Sequence, residues 1–326
     1  MNNLTALDAA LWLPVENRGG QQGYADRHGH IVIAPRYHEL GAFCAGLASA
    51  SIDPDREAGY GYINMDGQWA IKPRFFSAGD FADCGLAPVS VAGEGYLHGY
   101  CNRSGELAIP ARFDNARAFD THGMARVETA GKQGVIDSNG DWLIAPCYER
   151  LGDFSANGLA RAVNDDGRVV FINRAGDTML APDFDSVFPY CAEGLAVVVR
   201  DERYGFIDGS GATVLAPQYD DLADLSQGLA RVEIAGRYGY IDRQGKLVIA
   251  ATFADASSFM PCALAIVSDE AGERWGCIGR TGNVVIAPDF DDIQFGLYAD
   301  VLEASRDGRE GYIDLSGNWL FDLRLG

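Results

Sequence analysis

Short apolar runs alternate with polar tetrads along the whole chain, and the alternation repeats. From Gly239 the sequence reads Gly-Tyr-Ile, then Asp242-Arg243-Gln244-Gly245, then Lys246 and the apolar run Leu247-Val248-Ile249. Apolar runs this short, bounded by Asp, Asn and Gly, have the length of strands. Asp or Asn at the first tetrad position and Gly at the fourth predict a type I turn closed by a left-handed glycine, a common β-hairpin connection. Each stretch therefore predicts two antiparallel strands, A before the tetrad and B after it.

A third strand, C, opens on Gly-Leu-Ala at residues 46–48, 85–87, 158–160, 194–196 and 228–230, with Gly123-Met124-Ala125 and Ala263-Leu264-Ala265 as variants. After Leu229, the residues Ala230, Val232 and Ile234 share one face while Arg231 and Glu233 take the other, which predicts a half-exposed strand. Between B and C comes a proline and, two residues later, an aromatic, as in Pro35/Tyr37, Pro73/Phe75, Pro146/Tyr148, Pro182/Phe184, Pro217/Tyr219 and Pro288/Phe290. Proline donates nothing to a ladder, so B is expected to stop there and the aromatic to begin a bend.

The spacing is regular. The tetrad's closing glycine falls at Gly29, Gly67, Gly105, Gly140, Gly176, Gly211, Gly245, Gly282 and Gly317; eight intervals cover 288 residues, a mean of 36. Six residues before each lies an anchor glycine, at Gly23, Gly61, Gly99, Gly134, Gly205, Gly239, Gly276 and Gly311, with Val170 the exception. Gly279 replaces the Asp or Asn in the eighth copy. The 326 residues read as one repeat domain: 1–22 an N-terminal segment with a leading strand, 23–310 eight full repeats, and 311–326 a final partial one. One unit cannot cover both faces of its B strand, so neighbours must stack on it.

The anchor motif is aromatic-Gly-x-Ile in its fuller forms, at Tyr60-Gly61, Tyr204-Gly205, Tyr238-Gly239 and Trp275-Gly276. With the D-x-x-G, the I-x-P-x-aromatic and the G-L-A, it resembles the WG-containing repeat family of bacterial proteins over roughly residues 10 to 322. Only Trp275 supplies the Trp, and the fifth copy lacks the anchor glycine. The resemblance implies an all-β repeat protein of mostly unassigned function, with no catalytic residue to carry over. The segment Leu11 to Asn17 fits a C strand ahead of the first anchor. If the unit is A-B-C, that strand could complete the last unit and close a propeller-like ring; if it is C-A-B, nine whole units follow one another with no closure implied. Nine three-stranded blades fall outside the usual four to eight four-stranded ones. The expectation is accordingly an open, superhelical array, with a propeller-like ring as the close alternative.

Charge narrows the partners. There are 46 acidic and 26 basic residues, a net of −20, which opposes phosphate backbones and anionic lipid and would steer a basic protein. No direct nucleic-acid partner and no membrane insertion are expected. No basic, apolar and small-residue leader pattern opens the chain, and no apolar run reaches the roughly 18 residues of a span, so a cytoplasmic protein is expected.

Candidate chemistry yields to structural readings. His28 and His30 flank a turn glycine, His38 lies nearby, and His98 and His122 have no partner at ligand spacing. The seven cysteines form no C-x-x-C pair and recur at packing positions, Cys44, Cys84, Cys191 and Cys262 just before strand C, with Cys101, Cys147 and Cys277 elsewhere in the unit. Asp220-Asp221 and Asp291-Asp292 invite a glycosidase reading, but they sit at a recurring polar corner with Asp114 and Asp185. The turns lack the alternating acids of a calcium loop. No catalytic, cofactor-binding or metal residue is assigned, and no cofactor is expected.

What varies is the C-to-A connection, notably 51–60, 90–98 and 268–275. Variable loops on a fixed scaffold are where specificity resides. The expected function is a non-catalytic scaffold that binds another protein, a basic one suiting the charge, through an acidic surface and these loops. One specific form is an immunity or inhibitor protein for a basic toxin. The alternative is a carbohydrate-binding or glycoside-processing protein with its site in a groove or central channel.

Overall fold

In the computed structural model, which describes residues 12–53, 59–93, 95–296 and 300–323, strands and turns account for the ordered backbone and no helix occurs among those residues. Nine small antiparallel sheets follow one another along the chain. Blade 2 is typical: Glu39–Leu40, Leu47–Ser51, Tyr60–Asn64 and Trp69–Phe75 lie side by side in chain order. The last three are strands C, A and B as the pattern predicted.

The first is a two-residue lead strand that the sequence presented only as a bend. It forms because the residue after the aromatic turns back to strand C, as where the Phe76 amide donates to the Ser90 carbonyl at 2.9 Å. Each repeat thus supplies three strands, and among the described residues seven of the nine sheets gain a lead strand as a fourth, which removes the strand-number part of the objection to propeller blades. Within each of the chain's two compact units, the sheets succeed one another as the blades of a β-propeller do, the alternative, in place of the open array. The unit is C-A-B, and strand Leu13–Glu16 is the C strand of blade 1; Leu11 lies outside the described residues.

The chain divides into two compact units. The first runs to Leu151 and includes Leu323; it holds blades 1 to 4 (13–37, 39–75, 77–113 and 115–148), and in it the Glu16 amide donates to the Leu323 carbonyl at 3.3 Å. The second, Gly152–Asp322, holds blades 5 to 9 (160–180, 186–219, 221–253, 264–290 and 292–322).

Strand B does not end at its proline. It runs on to the aromatic, as in Thr213–Tyr219, and pairs again there: Phe206 opposes Leu215 and Tyr204 opposes Tyr219, with a bulge between. The proline occupies the bulge, where no ladder donor is required. The bulge also explains the anchor glycine. A Cβ on Gly205 would lie 2.7 Å from the Pro217 nitrogen and 2.8 Å from the Ala216 carbonyl carbon, so only glycine lets the bulged backbone cross strand A. Val170 tests this within the molecule: strand B of blade 5 is only Thr178–Leu180, and its ladder with strand A stops at Leu180, ahead of the proline.

The apolar core lies between blades, as stacking requires. Tyr100, Ile109 and Phe113 of blade 3 pack with Phe119, Val127 and Ile136 of blade 4. The strand-A tyrosines Tyr62, Tyr100 and Tyr240 are buried, yet each reaches the next blade's lead loop: Tyr62 donates to Gly79 O at 2.7 Å, Tyr100 to Arg117 O at 2.7 Å and Tyr240 to Ser257 O at 2.8 Å. A buried hydroxyl without such a partner would be destabilising. The closing glycines have φ near +80° and also meet the preceding blade, Gly67 beside the Ile33 side chain and its carbonyl accepting from Tyr37 Oη at 2.6 Å.

Candidate functional site

The C-to-A connections come in two kinds, and the residue after each bend aromatic matches the kind. In blades 4, 6, 7 and 9 the connection is a two-residue turn with positive φ at both positions: Ala130-Gly131, Asp201-Glu202, Ala235-Gly236 and Asp307-Gly308. That is the type I′ geometry whose twist suits a hairpin. Asp114, Asp185 and Asp291 accept from the first turn amide, of Ala130, Asp201 and Asp307, at 2.7, 2.8 and 2.7 Å. These aspartates are turn caps. Asp220, at the same position in blade 7, is ion-paired with Arg203, Asp221 beside it with Arg231, and Asp291 also with Arg274.

In blades 3 and 8 the connection is longer, and the capping position holds Phe76 or Ala254. Phe76 stacks on Tyr96 of the loop, ring centres 4.3 Å apart, both exposed. In blade 8 the loop 269–274 folds on itself: Asp269 Oδ1 accepts from the Glu273 amide at 2.9 Å, and this and further backbone amides hold its carboxyl below the usual aspartate value. Blade 2 has its long loop at 52–59, of which 54–58 lie outside the described residues.

Acid is unevenly divided. The second unit carries 28 acidic and 13 basic residues, a net of −15, against 18 and 13, a net of −5, in the first. Eight of these acids lie exposed on or beside C-to-A connections of the second unit, Asp165, Asp166, Asp201, Glu202, Glu270, Glu273, Asp307 and Glu310, interleaved with Arg168, Arg200, Arg203, Arg274, Arg306 and Arg309; the blade 8 connection 269–274 is the most acidic of them. The eight acids belong to different blades, Asp165 and Asp166 to blade 5, Asp201 and Glu202 to blade 6, Glu270 and Glu273 to blade 8, and Asp307 and Glu310 to blade 9.

Arg126, Arg161 and Arg231, on the strand-C face read as half exposed, turn instead to the following lead segment, donating to Leu151, Val187 and Ala256 carbonyls, the last two at 2.6 and 3.0 Å. Their role was hidden because the lead strand itself was. A cleft of about 390 Å³ in the first unit is lined by Gln22, Glu39, Ser49, Tyr60 and Ser77, where the Tyr60 hydroxyl donates to Glu39.

His28 and His30 sit at their turn as expected, His30 Nδ1 lying 3.0 Å from Asp26 Oδ2. Among the described residues no group of three or more His, Cys, Asp or Glu could hold a metal ion. Cys101 and Cys277 are buried, and desolvation pushes their thiols up to about 11 and about 12. Cys84 and Cys147 depart from the packing expectation: both are exposed, Cys84 on the lead-to-C turn and Cys147 beside the bulge proline.

The repeat model for the WG containing repeat matches at residues 23–53, 60–94, 99–132, 134–167, 171–204, 204–238, 238–270 and 275–295, well over half of the chain. The chain belongs to the WG containing repeat family. The fifth WG match begins just past Val170, and the eighth ends before most of blade 9, which nevertheless folds as the others do. The fold is similar to the crystal structure of a eukaryotic initiation factor, with TM-score 0.65, 9% identity, and 95% of this chain and 94% of that one covered. It is similar also to dihydro-heme d1 dehydrogenase NirN in complex with DHE, with TM-score 0.50, 14% identity, and 96% and 72% covered. At these identities the likeness concerns the fold alone. No curated protein matches the chain in sequence.

Proposed function

We propose that this WG-repeat protein is a non-catalytic scaffold that binds a basic protein through the C-to-A edge of its second unit. The observation that carries this reading is the unit's net charge of −15, together with the acids on its C-to-A edge, which are densest on the blade 8 loop with Asp269, Glu270 and Glu273. Like charges held apart on a fixed scaffold raise the local potential and speed encounter with a cation-rich surface. A toxin with a basic active surface, masked by this edge, would be one such partner.

The test compares capture from lysate by the native chain with capture by a charge-reversed variant, Asp165→Lys, Glu202→Lys, Glu273→Lys and Glu310→Lys. A control variant carries Glu106→Lys, Asp141→Lys and Asp177→Lys on the D-x-x-G turns. The reading expects a stoichiometric basic protein that high salt releases, lost with the first variant and kept by the control. Equal retention by all three chains would sink it. The second reading, a polyhydroxylated ligand in the Glu39/Tyr60 cleft, is favoured by that cleft's polar lining and would show as a thermal shift with oligosaccharides that Glu39→Ala removes.

A further inference from the structure

Three junctions between blades share one contact. The bend aromatic of one blade is met edge-on or at a tilt by a tryptophan that begins strand B of the next: Tyr37 by Trp69 at 5.9 Å, Phe113 by Trp142 at 5.9 Å and Phe290 by Trp319 at 6.0 Å between ring centres. In blades 1 to 3 an arginine preceding the aromatic also covers it, Arg36, Arg74 and Arg112 lying 5.2, 5.7 and 5.0 Å above the following ring.

Neither cover is present where blade 6 meets blade 7, with Gln218 before Tyr219 and Leu247 at the tryptophan position, nor where blade 7 meets blade 8. The residue before Phe253 is Thr252, and the tryptophan position holds Val284, 63% exposed. Phe253 is only partly buried, whereas Tyr37, Phe113 and Phe290 are buried. A cleft of about 280 Å³ opens there, lined by Phe253, Val267, Ile278, Val284, Ile286 and Pro288 and bordered by Asp269 and Glu270 of the blade 8 loop. Arg237 donates to the Glu270 carbonyl at 2.8 Å and so fixes that border.

We infer that this cleft takes an aromatic side chain, of indole size, from a basic segment of the protein partner. The walls are apolar, and the aromatic wall is the ring that other junctions cover with an indole. The border carries the carboxylates Asp269 and Glu270 of the most acidic connection, so the flanks of the incoming segment are basic. An aromatic anchor in a dry pocket with charges at its rim is the usual form of an interface hot spot. This rests on the acidic-edge reading and names where on that edge the partner is anchored.

The test uses two fluorescein-labelled peptides, Lys-Lys-Trp-Lys-Lys and Lys-Lys-Ala-Lys-Lys, titrated by fluorescence anisotropy at low and at high salt. The Trp peptide should bind the native chain at least tenfold tighter than the Ala peptide. Val284→Trp, which supplies the indole in cis and changes no charge, should abolish that difference, and Val284→Phe should reduce it. Leu107→Trp, at the equivalent position of blade 3, should leave it intact. Equal, salt-sensitive binding of both peptides overturns the anchor while the acidic edge stands; binding of neither, or binding indifferent to salt, overturns both. A difference that survives both Val284→Trp and Val284→Phe also overturns the anchor.

Discussion

Replacing Gly205 by valine puts the anchor argument at risk. The new Cβ would sit within 2.8 Å of two backbone atoms of strand B and nearer still to the Leu215 carbonyl oxygen. Backbone held in a bulge by pairs on either side cannot give as a side-chain tip can. Overpacking a well-packed site costs roughly 1–3 kcal/mol, and rigid neighbours place this change at about 3. Blade 5, with Val170, shows the escape: strand B would abandon the half beyond Leu215, losing the Tyr204–Tyr219 pair. Unfolding entropy is near 2.1 cal/mol/K per residue. If the 171 residues of the second unit melt together, 3 kcal/mol lowers Tm by about 8 °C; if all 326 do, by about 4 °C. Calorimetry reads the shift, and amide exchange over 213–219 reads the lost pairing. A Tm within 1 °C of the native chain, with those amides still protected, would refute the close-approach account.

Glu202 has φ 61° where the other two-residue turns carry Gly131, Gly236 or Gly308; Glu202→Gly should stabilise the protein by about 1 kcal/mol in urea unfolding. Asp185→Ala removes the cap on the Asp201 amide and should cost about 1 kcal/mol by the same measurement. With a thiol reagent, Cys84 and Cys147 should react at once, while Cys101 and Cys277, buried with raised thiol values, wait for unfolding. Asp137 is lowered first by the Asp141 amide and Asp208 first by the Ser210 hydroxyl. A lowered folded value means stability present above the unfolded 3.8 and lost as pH falls through it, so the urea midpoint should hold from pH 7 to 5 and drop below about 4.

The repeat, its three main strands and its turns were legible because each rests on local chemistry: a left-handed glycine at Gly67, an Asx residue at Asn64, apolar runs of strand length. The lead strand was not, since two residues such as Ser77 and Ala78 carry no periodicity. The proline was misjudged for a related reason. Its missing donor is compatible with a bulge as well as with a strand end, and only the partner strand decides. The aspartates after the bend were rightly placed at a recurring corner, but their cap role needed the turn 16 residues on, as with Asp114 and Ala130. The cleft at Phe253 depended on a pairing between units that no single repeat displays.

Blade 8 combines three features: Ala254 in place of the capping aspartate, a turn lengthened to 269–274, and Val284 at the tryptophan position, which Thr213 and Leu247 hold in blades 6 and 7 where the turns stay short. Folding does not tie them together. Blade 2 also lengthens its connection and lacks the aspartate, with His38 in its place, yet it keeps Trp69 over Tyr37. A long loop therefore does not require an uncovered ring. Leaving Phe253 half-covered forgoes an aromatic contact worth about 0.5–1.5 kcal/mol beyond its buried area, and nothing within blades 7 and 8 restores it. Where such a ring stands uncovered beside a cleft bordered by Asp269 and Glu270, a partner's side chain accounts for the omission better than the needs of the fold.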